Sequence, residues 1–147
     1  MDPVAQLSIK QACAEVITRY AMAANDWDLD AFVALFSEDG VWWRPASGEL
    51  RGRGAIRTVM ESLPGPKDQV MRHVTGGHLV EVVDENNATA WSQTTVYVAP
   101  FTDTLPAAAA RPQMVVEYRD RLVRQGDRWL IARRDTTIVF QAGAQKG

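Results

Sequence analysis

Four long segments in the second half of the chain constrain its fold most. They are rich in Val, Thr, Ile, Trp and Tyr, and they run from Val70 to Val83, Ala88 to Ala99, Met114 to Gln125 and Arg128 to Phe140. Turn residues separate them at Asp84-Glu85-Asn86-Asn87 and at Gly126-Asp127, and a longer loop joins the middle two. Segments of β-branched and aromatic residues between turns predict an antiparallel meander of long strands.

The first half of the chain predicts helices instead. Between residues 9 and 24, apolar side chains recur three and four apart, at Ile9, Cys13, Val16, Ile17, Tyr20 and Ala24. This spacing is one face of an amphipathic helix. Ser8 and Gln11 predict a capping box at its start, and Asn25 and Asp26 predict its end.

Shorter elements follow this helix. Asp28 predicts the cap of a second helix that buries Phe32 and Phe36. A turn is expected over residues 37–40, then a short strand over Val41-Trp42-Trp43 that Pro45 stops, then a third helix over residues 55–63. Helices followed by a sheet predict an α+β fold, with three helices packed on one face of a curved sheet.

Composition limits the class of protein. The chain has 147 residues, the size of one domain, and its 18 acidic and 16 basic groups give a net charge of −2. This balance offers no basic surface for nucleic acid or anionic membranes. One cysteine, no long apolar stretch and no signal-peptide pattern predict a single cytoplasmic domain over residues 1–147.

The Gly126-Asp127 turn predicts a strand register. A two-residue hairpin loop pairs Asp120 with Arg133 and directs Tyr118, Asp120 and Arg133 into the core or a pocket. If the loop differed by one residue, Arg134 would replace Arg133. The Asp120–Arg133 pair has two readings that stay open at this point, a buried structural ion pair or a polar pair that anchors a ligand.

His73 and Tyr20 are the candidates for proton transfer. Histidine is the side chain best suited to acid–base work near neutral pH, although a lone strand histidine is more often structural. Tyr20 is either a core residue or a hydrogen-bond donor to a substrate oxygen. Regular alternation places His78 on the face opposite His73, unless Gly76-Gly77 forms a bulge.

Several large apolar residues either fill the core or line a ligand cavity. They are Trp42, Trp43, Trp91, Trp129, Phe101 and Met60. Two histidines and one unpaired cysteine do not form a metal-ligand set, so no metal is expected. The sequence contains neither a glycine-rich nucleotide fingerprint nor a Gly-x-Ser-x-Gly nucleophile elbow.

Taken in order, these stretches resemble a known family. They are Arg19-Tyr20-Ala21, residues 28–36, Asp39-Gly40-Val41-Trp42, residues 52–56, Arg72-His73, Tyr118-Arg119-Asp120 and residues 126–131. Their order and spacing resemble the SnoaL-like branch of the nuclear-transport-factor-2-like superfamily, which includes ketosteroid isomerases and scytalone-dehydratase-like enzymes. The resemblance implies a cone-shaped α+β barrel whose curved antiparallel sheet encloses a pocket.

The resemblance also implies chemistry and marks where this chain departs from it. Members include dehydratases, isomerases and polyketide cyclases that act on apolar compounds, mostly without cofactor or metal. Tyr20 and His73 match the tyrosine and histidine of the acid–base set in dehydratase-like members, but Asn25 stands at the aspartate position. The base of ketosteroid isomerases falls near Arg44, which cannot act as a base. Asp120 falls near their proton-donating carboxyl.

The first hypothesis is therefore a cofactor-independent lyase or isomerase, dehydratase- or cyclase-like, acting on a small apolar or aromatic oxygenated compound. His73, Tyr20, Asn25 and Asp120 are its expected catalytic residues. The expected substrate contacts are Arg133, Tyr118, Trp42, Met60 and Phe101, with residues 101–113 as a lid. The alternative is a non-catalytic ligand-binding or assembly subunit of the same fold, including a small subunit of an aromatic-ring dioxygenase.

The predicted sheet also has an outer face. Trp91 and Tyr97 are expected to share it, with Gln93 and Thr95 between them on the same strand. Apolar side chains on the face opposite the helices need a partner, which predicts a homodimer or a higher oligomer.

Overall fold

The computed structural model describes residues 1–144. The elements follow the order predicted, with one extra strand. The helices are α1 (Pro3–Asp26), α2 (Leu29–Ala34) and α3 (Arg53–Ser62). The strands are β1 (Phe36–Arg44), β2 (Gly48–Arg51), β3 (Gln69–Asp84), β4 (Asn87–Pro100), β5 (Arg111–Gln125) and β6 (Arg128–Gln141).

Helix α1 begins earlier than the sequence analysis expects. The Asp2 side chain accepts hydrogen bonds from the backbone N–H groups of Val4 and Ala5, and Pro3 occupies the first turn. An aspartate cap followed by proline is a strong start signal, so the predicted capping box at Ser8 is wrong. Trp27, in the left-handed conformation at φ 57°, ends the helix. Asp28 caps α2 as predicted.

The predicted turn over residues 37–40 is wrong, because these residues belong to β1. Phe36 pairs with Ile131, and an irregularity separates this pair from the pair of Val41 with Arg133. Gly40 allows the close approach: a Cβ there would lie 2.9 Å from the Ile131 carbonyl oxygen. Strand β2 was not predicted and forms a hairpin with β1.

The α+β fold class is confirmed, with helices packed on a six-stranded sheet of order β2-β1-β6-β5-β4-β3. The sheet is mixed rather than wholly antiparallel, since β1 runs parallel to β6. It is also not closed into a barrel, because β2 and β3 remain edge strands within the described residues. Helix α1 buries Ile9, Cys13, Ile17 and Tyr20 against the concave face.

The predicted register between β5 and β6 is correct next to the turn and wrong further along the two strands. Gln125 pairs with Arg128 and Leu122 with Ile131, as a two-residue loop requires. A bulge then adds one residue to β6, so Asp120 pairs with Arg134 rather than Arg133. Because side chains alternate along a strand, this single extra residue exchanges the faces of the two arginines.

A second bulge lies in β3. The pairing with β4 shifts between Thr75 and His78, on either side of Gly76-Gly77. His73 pairs with Val96 and His78 with Ser92, both of which are buried on the concave side. The bulge therefore returns His78 to the face of His73.

Candidate functional site

A cavity of about 390 Å³ lies between the concave face of the sheet and the helices. Its size is in the range of small-molecule sites, ~300–1,000 Å³. Five of the predicted site residues line it: Tyr20, Trp42, Met60, His73 and Tyr118. The rest of the wall is mostly apolar, with contributions from β3, β4, β5 and β6.

Asn25 holds His73 at two points. The His73 backbone N–H donates to Asn25 Oδ1 at 2.7 Å, and His73 Nδ1 lies 2.9 Å from the same oxygen. Position 25 ends α1 while His73 lies on edge strand β3, so the packing of α1 across the sheet brings the two together. Asn25 itself is not part of the cavity wall.

This contact fixes the protonation of the imidazole ring. The backbone N–H can only donate, so it requires the amide oxygen of Asn25 to face His73. An amide oxygen can only accept, so Nδ1 must carry the ring proton. The lone pair is then on Nε2, which no residue among 1–144 engages by a hydrogen bond.

The electrostatics favour the neutral ring. Burial, with a smaller contribution from the positive charge of Arg134, lowers the pKa of His73 to about 4. Neutral imidazole with a free Nε2 is the form that accepts a proton.

Arg134 lies behind the tyrosines of the cavity wall. Its guanidinium carbon is 4.1 Å from the centroid of the Tyr20 ring and 4.0 Å from that of the Tyr118 ring. Burial raises the pKa of both tyrosines, and the Arg134 charge only partly opposes this. Both phenols therefore stay protonated at neutral pH and can donate hydrogen bonds.

Asp120 and Arg134 form a fully buried ion pair. Arg134 Nε donates to Asp120 Oδ1 and Nη2 to Oδ2, both at 2.7 Å. Burial disfavours the charged guanidinium, but the Asp120 carboxylate outweighs it and raises the pKa of Arg134. Asp120 does not reach the cavity wall, so it acts on the site by holding Arg134 and through its charge, which adds to the rise in the pKa of both tyrosines.

The predicted role of Arg133 is wrong. Its side chain lies on the outer face, where it pairs with Asp135 at 2.9 Å and with Glu49 at 3.0 Å. The bulge in β6 is the physical cause. Phe101 is also misplaced by the prediction, since its side chain is 53% exposed and does not line the cavity. Of the segment proposed as a lid, only Gln113 reaches the wall.

Among the described residues, two buried polar groups that belong to wall residues have no hydrogen-bond partner. They are the indole N–H of Trp42, a residue 5% exposed, and the hydroxyl of Thr136, a residue 7% exposed. Arg44, half-buried, also lines the cavity, with its guanidinium carbon 5.0 Å from the centroid of the Trp42 ring.

Sequence reasoning missed Arg134, Arg44 and Thr136 as parts of the site. Arg134 was named only as the substitute for Arg133, because a bulge leaves no mark in the sequence. The sequence analysis treats Arg44 only as a candidate proton acceptor, a role that arginine cannot fill. A usable signal was its strand parity, since Arg44 is two residues after Trp42 and so shares its face of β1.

Metal and thiol chemistry find no support in the described residues. Within residues 1–144, no group of three or more His, Cys, Asp or Glu side chains is arranged to hold a metal ion. Burial raises the pKa of Cys13 to about 12, so its thiol stays protonated. None of the helices in this range is long and apolar enough to cross a membrane.

Comparisons with known proteins agree with this architecture. The profile of the SnoaL-like domain family matches residues 5–135. Among curated proteins, none matches the sequence significantly. Among solved structures, the protein Rv3472 of unknown function from Mycobacterium tuberculosis is 28% identical, with a TM-score of 0.78 over 97% of this chain and 79% of that chain.

Two further structures share the fold at lower identity. A candidate scytalone dehydratase from Novosphingobium aromaticivorans is 18% identical, with a TM-score of 0.81 over 99% of this chain and 94% of that chain. A hexachlorocyclohexane dehydrochlorinase is 10% identical, with a TM-score of 0.78 over 99% and 97% of the two chains.

Proposed function

Because this chain belongs to the SnoaL-like domain family, we propose that it is a cofactor-independent lyase or isomerase acting on a small, largely apolar oxygenated compound. The observation that carries the proposal is the His73–Asn25 contact. It supplies a neutral histidine, protonated on Nδ1, at the wall of an apolar cavity. The dehydratase and dehydrochlorinase among similar structures both carry out eliminations by their names, and proton removal is the first need of such reactions.

Each residue has a stated role in this proposal. His73 Nε2 accepts a proton from the substrate. The hydroxyl of Tyr20 or Tyr118 donates a hydrogen bond to the oxygen that leaves or that gains negative charge. Asn25 is a positioning residue that fixes the ring and tautomer of His73. Arg134 and Asp120 hold the two tyrosines in place from behind.

The test is elimination of water from a panel of apolar β-hydroxy ketones, followed by the ultraviolet absorbance of the enone. We expect wild-type protein to convert at least one member, and His73→Ala to lose ~10²–10⁴-fold of the rate. The matched control is His78→Ala, since His78 lies on the same strand outside the cavity wall. Circular dichroism checks the fold of each variant. Equal rates for wild type and His73→Ala would contradict the proposal.

The pH dependence has a definite sign. A base with a pKa of about 4 is unprotonated at neutral pH. The rate should therefore fall as the pH is lowered through about 4, where His73 gains its proton.

One observation favours the alternative, a non-catalytic ligand-binding subunit. Asn25 is neutral, so it cannot stabilise the imidazolium that forms when His73 accepts a proton. If none of the panel is converted while an apolar ligand still binds in the cavity, this alternative stands. The open cavity beside His73 argues against a purely structural assembly subunit with a filled cone.

Two further properties belong to the same proposal. We expect the protein to act in the cytoplasm and to form a homodimer through the outer face of the sheet. Exposed apolar residues on that face, Val74 and Phe140 among them, support the dimer.

A further inference from the structure

The cavity wall carries an unbalanced charge. Among the described residues that line it there is no Asp and no Glu, and His73 is neutral. Arg44 is therefore the one permanently charged side chain of this wall.

Arg44 also differs from the paired arginines near it in the sheet. Arg134 is paired with Asp120, and Arg133 with Glu49 and Asp135. Within residues 1–144, no carboxylate oxygen lies within 4.0 Å of the Arg44 guanidinium. A half-buried cation beside an apolar cavity, with no carboxylate to balance it, favours a negative ligand.

Trp42, whose ring lies beside Arg44, also carries a donor without a partner. Its indole N–H is buried and has no acceptor among the described residues. An indole can only donate, and a buried donor left without an acceptor costs ~1–3 kcal/mol. Because this N–H is closed off from the cavity, Arg44 is the donor of β1 that a ligand can reach.

We propose that the ligand of this cavity carries an anionic oxygen group, a carboxylate on an apolar ring, which Arg44 binds. This deepens the proposed function and rests on the same site. Strand β1 lies second in the sheet order and β3 last, yet both border one cavity. In this proposal Arg44 binds the acid group on the β1 side of the cavity, and the apolar part of the ligand extends towards His73 on the β3 side.

The experiment is a binding comparison of two probes that differ in charge, 2-naphthoate and 2-naphthamide. Titration calorimetry at low ionic strength should show the carboxylate binding wild-type protein about 10- to 100-fold more tightly than the amide. Arg44→Gln should abolish this preference and leave the affinity for the amide unchanged. Arg44→Lys keeps the charge and should retain most of the preference.

Two controls make the result specific to this site. Arg51→Gln removes an exposed arginine of the neighbouring strand β2, at a position outside the cavity wall, and should preserve the preference. Added salt should weaken binding of the carboxylate and leave that of the amide unchanged.

The outcomes separate this inference from the proposed function. Equal affinities of wild type for the two probes, no binding of the carboxylate at millimolar concentration, or an unchanged preference in Arg44→Gln would overturn it. His73→Ala should keep the carboxylate preference. If the preference holds while no compound is turned over, the anion site stands and the proposed catalysis fails.

Discussion

A single oxygen atom of Asn25 sets the ring orientation and the tautomer of His73. Asn25 Oδ1 accepts from both the backbone N–H and Nδ1 of His73, which orients the ring as a carboxylate would. It carries no full negative charge, however, so it does not stabilise the protonated ring. Burial then dominates, and the pKa of His73 lies at about 4.

Replacing Asn25 by Asp should raise the pKa of His73. A carboxylate in contact with Nδ1 favours the imidazolium, by roughly one pKa unit, or about 1.4 kcal/mol of differential interaction. NMR titration of the His73 ring protons in the two proteins measures the shift. The acid limb of the pH–rate profile should move upward by the same amount, because His73 is then protonated at a higher pH.

The neighbouring residue provides the matched control. Asp26 is exposed at the end of α1, so Asp26→Asn removes a charge without touching the ring and should leave the titration unchanged. Identical His73 titrations in wild type and Asn25→Asp would contradict the contact described above.

At this scale, sequence reasoning reached the principal contact but not the whole site. Asn25 and His73 both stand at positions of the acid–base set that the family resemblance implies, and in the structure the two are in contact. Arg44 was judged only by whether it can accept a proton. Its position on the cavity wall depends on how far the sheet curls, and strand patterning alone does not determine that curvature.

At the scale of elements, the bulge in β6 decides which arginine is buried. The predicted hairpin loop is correct, and pairing follows it up to Leu122 and Ile131. Ala132 is then the extra residue, since Ile131 and Arg133 pair with consecutive residues of β5. An alanine between apolar and charged neighbours gives no sequence signal for a bulge. The sequence therefore predicts Arg133 as the buried partner of Asp120, and Arg134 only if the register shifts by one residue.

Arg134→Ala should destabilise the protein strongly. It leaves Asp120 buried without its partner, and removing one member of a buried pair costs about 3–5 kcal/mol. It also leaves the Tyr20 and Tyr118 rings without the guanidinium that packs against both. Chemical denaturation measures the free energy of unfolding of the variant against wild type.

Arg133→Ala is the matched control one residue away. Arg133 pairs with carboxylates at the surface, where ion pairs contribute ~0–1 kcal/mol. A larger loss in Arg133→Ala than in Arg134→Ala would show that the original register, without the bulge, is the correct one.

At the scale of the whole molecule, the concave face and the outer face of the sheet differ in what covers them. The concave face carries the helices and the cavity. On the outer face of β4, Trp91, Gln93, Thr95 and Tyr97 alternate with buried residues, as the sequence predicts. Neighbouring strands extend this face, because Val74 pairs with Thr95, Thr95 with Val115, and Val115 with Phe140.

This row predicts association through the outer face. Its end members are exposed and apolar, with Val74 at 51% and Phe140 at 67%, and Tyr97 lies next to it on β4 at 37%. Exposed apolar side chains grouped on the face opposite the helices favour contact with a protein partner. Because the row belongs to one copy of the chain, a second copy presents the same surface, and a two-fold interface pairs the two rows.

Light scattering at micromolar concentration should therefore give the mass of a dimer or a larger oligomer. Phe140→Glu should shift the protein towards monomer, since it places a charge in the apolar interface. Leu7→Glu is the matched control, because Leu7 is equally exposed at 67% but lies on α1, away from the sheet face. A monomeric wild type would contradict the prediction, and so would a Leu7→Glu variant that dissociates as readily as Phe140→Glu.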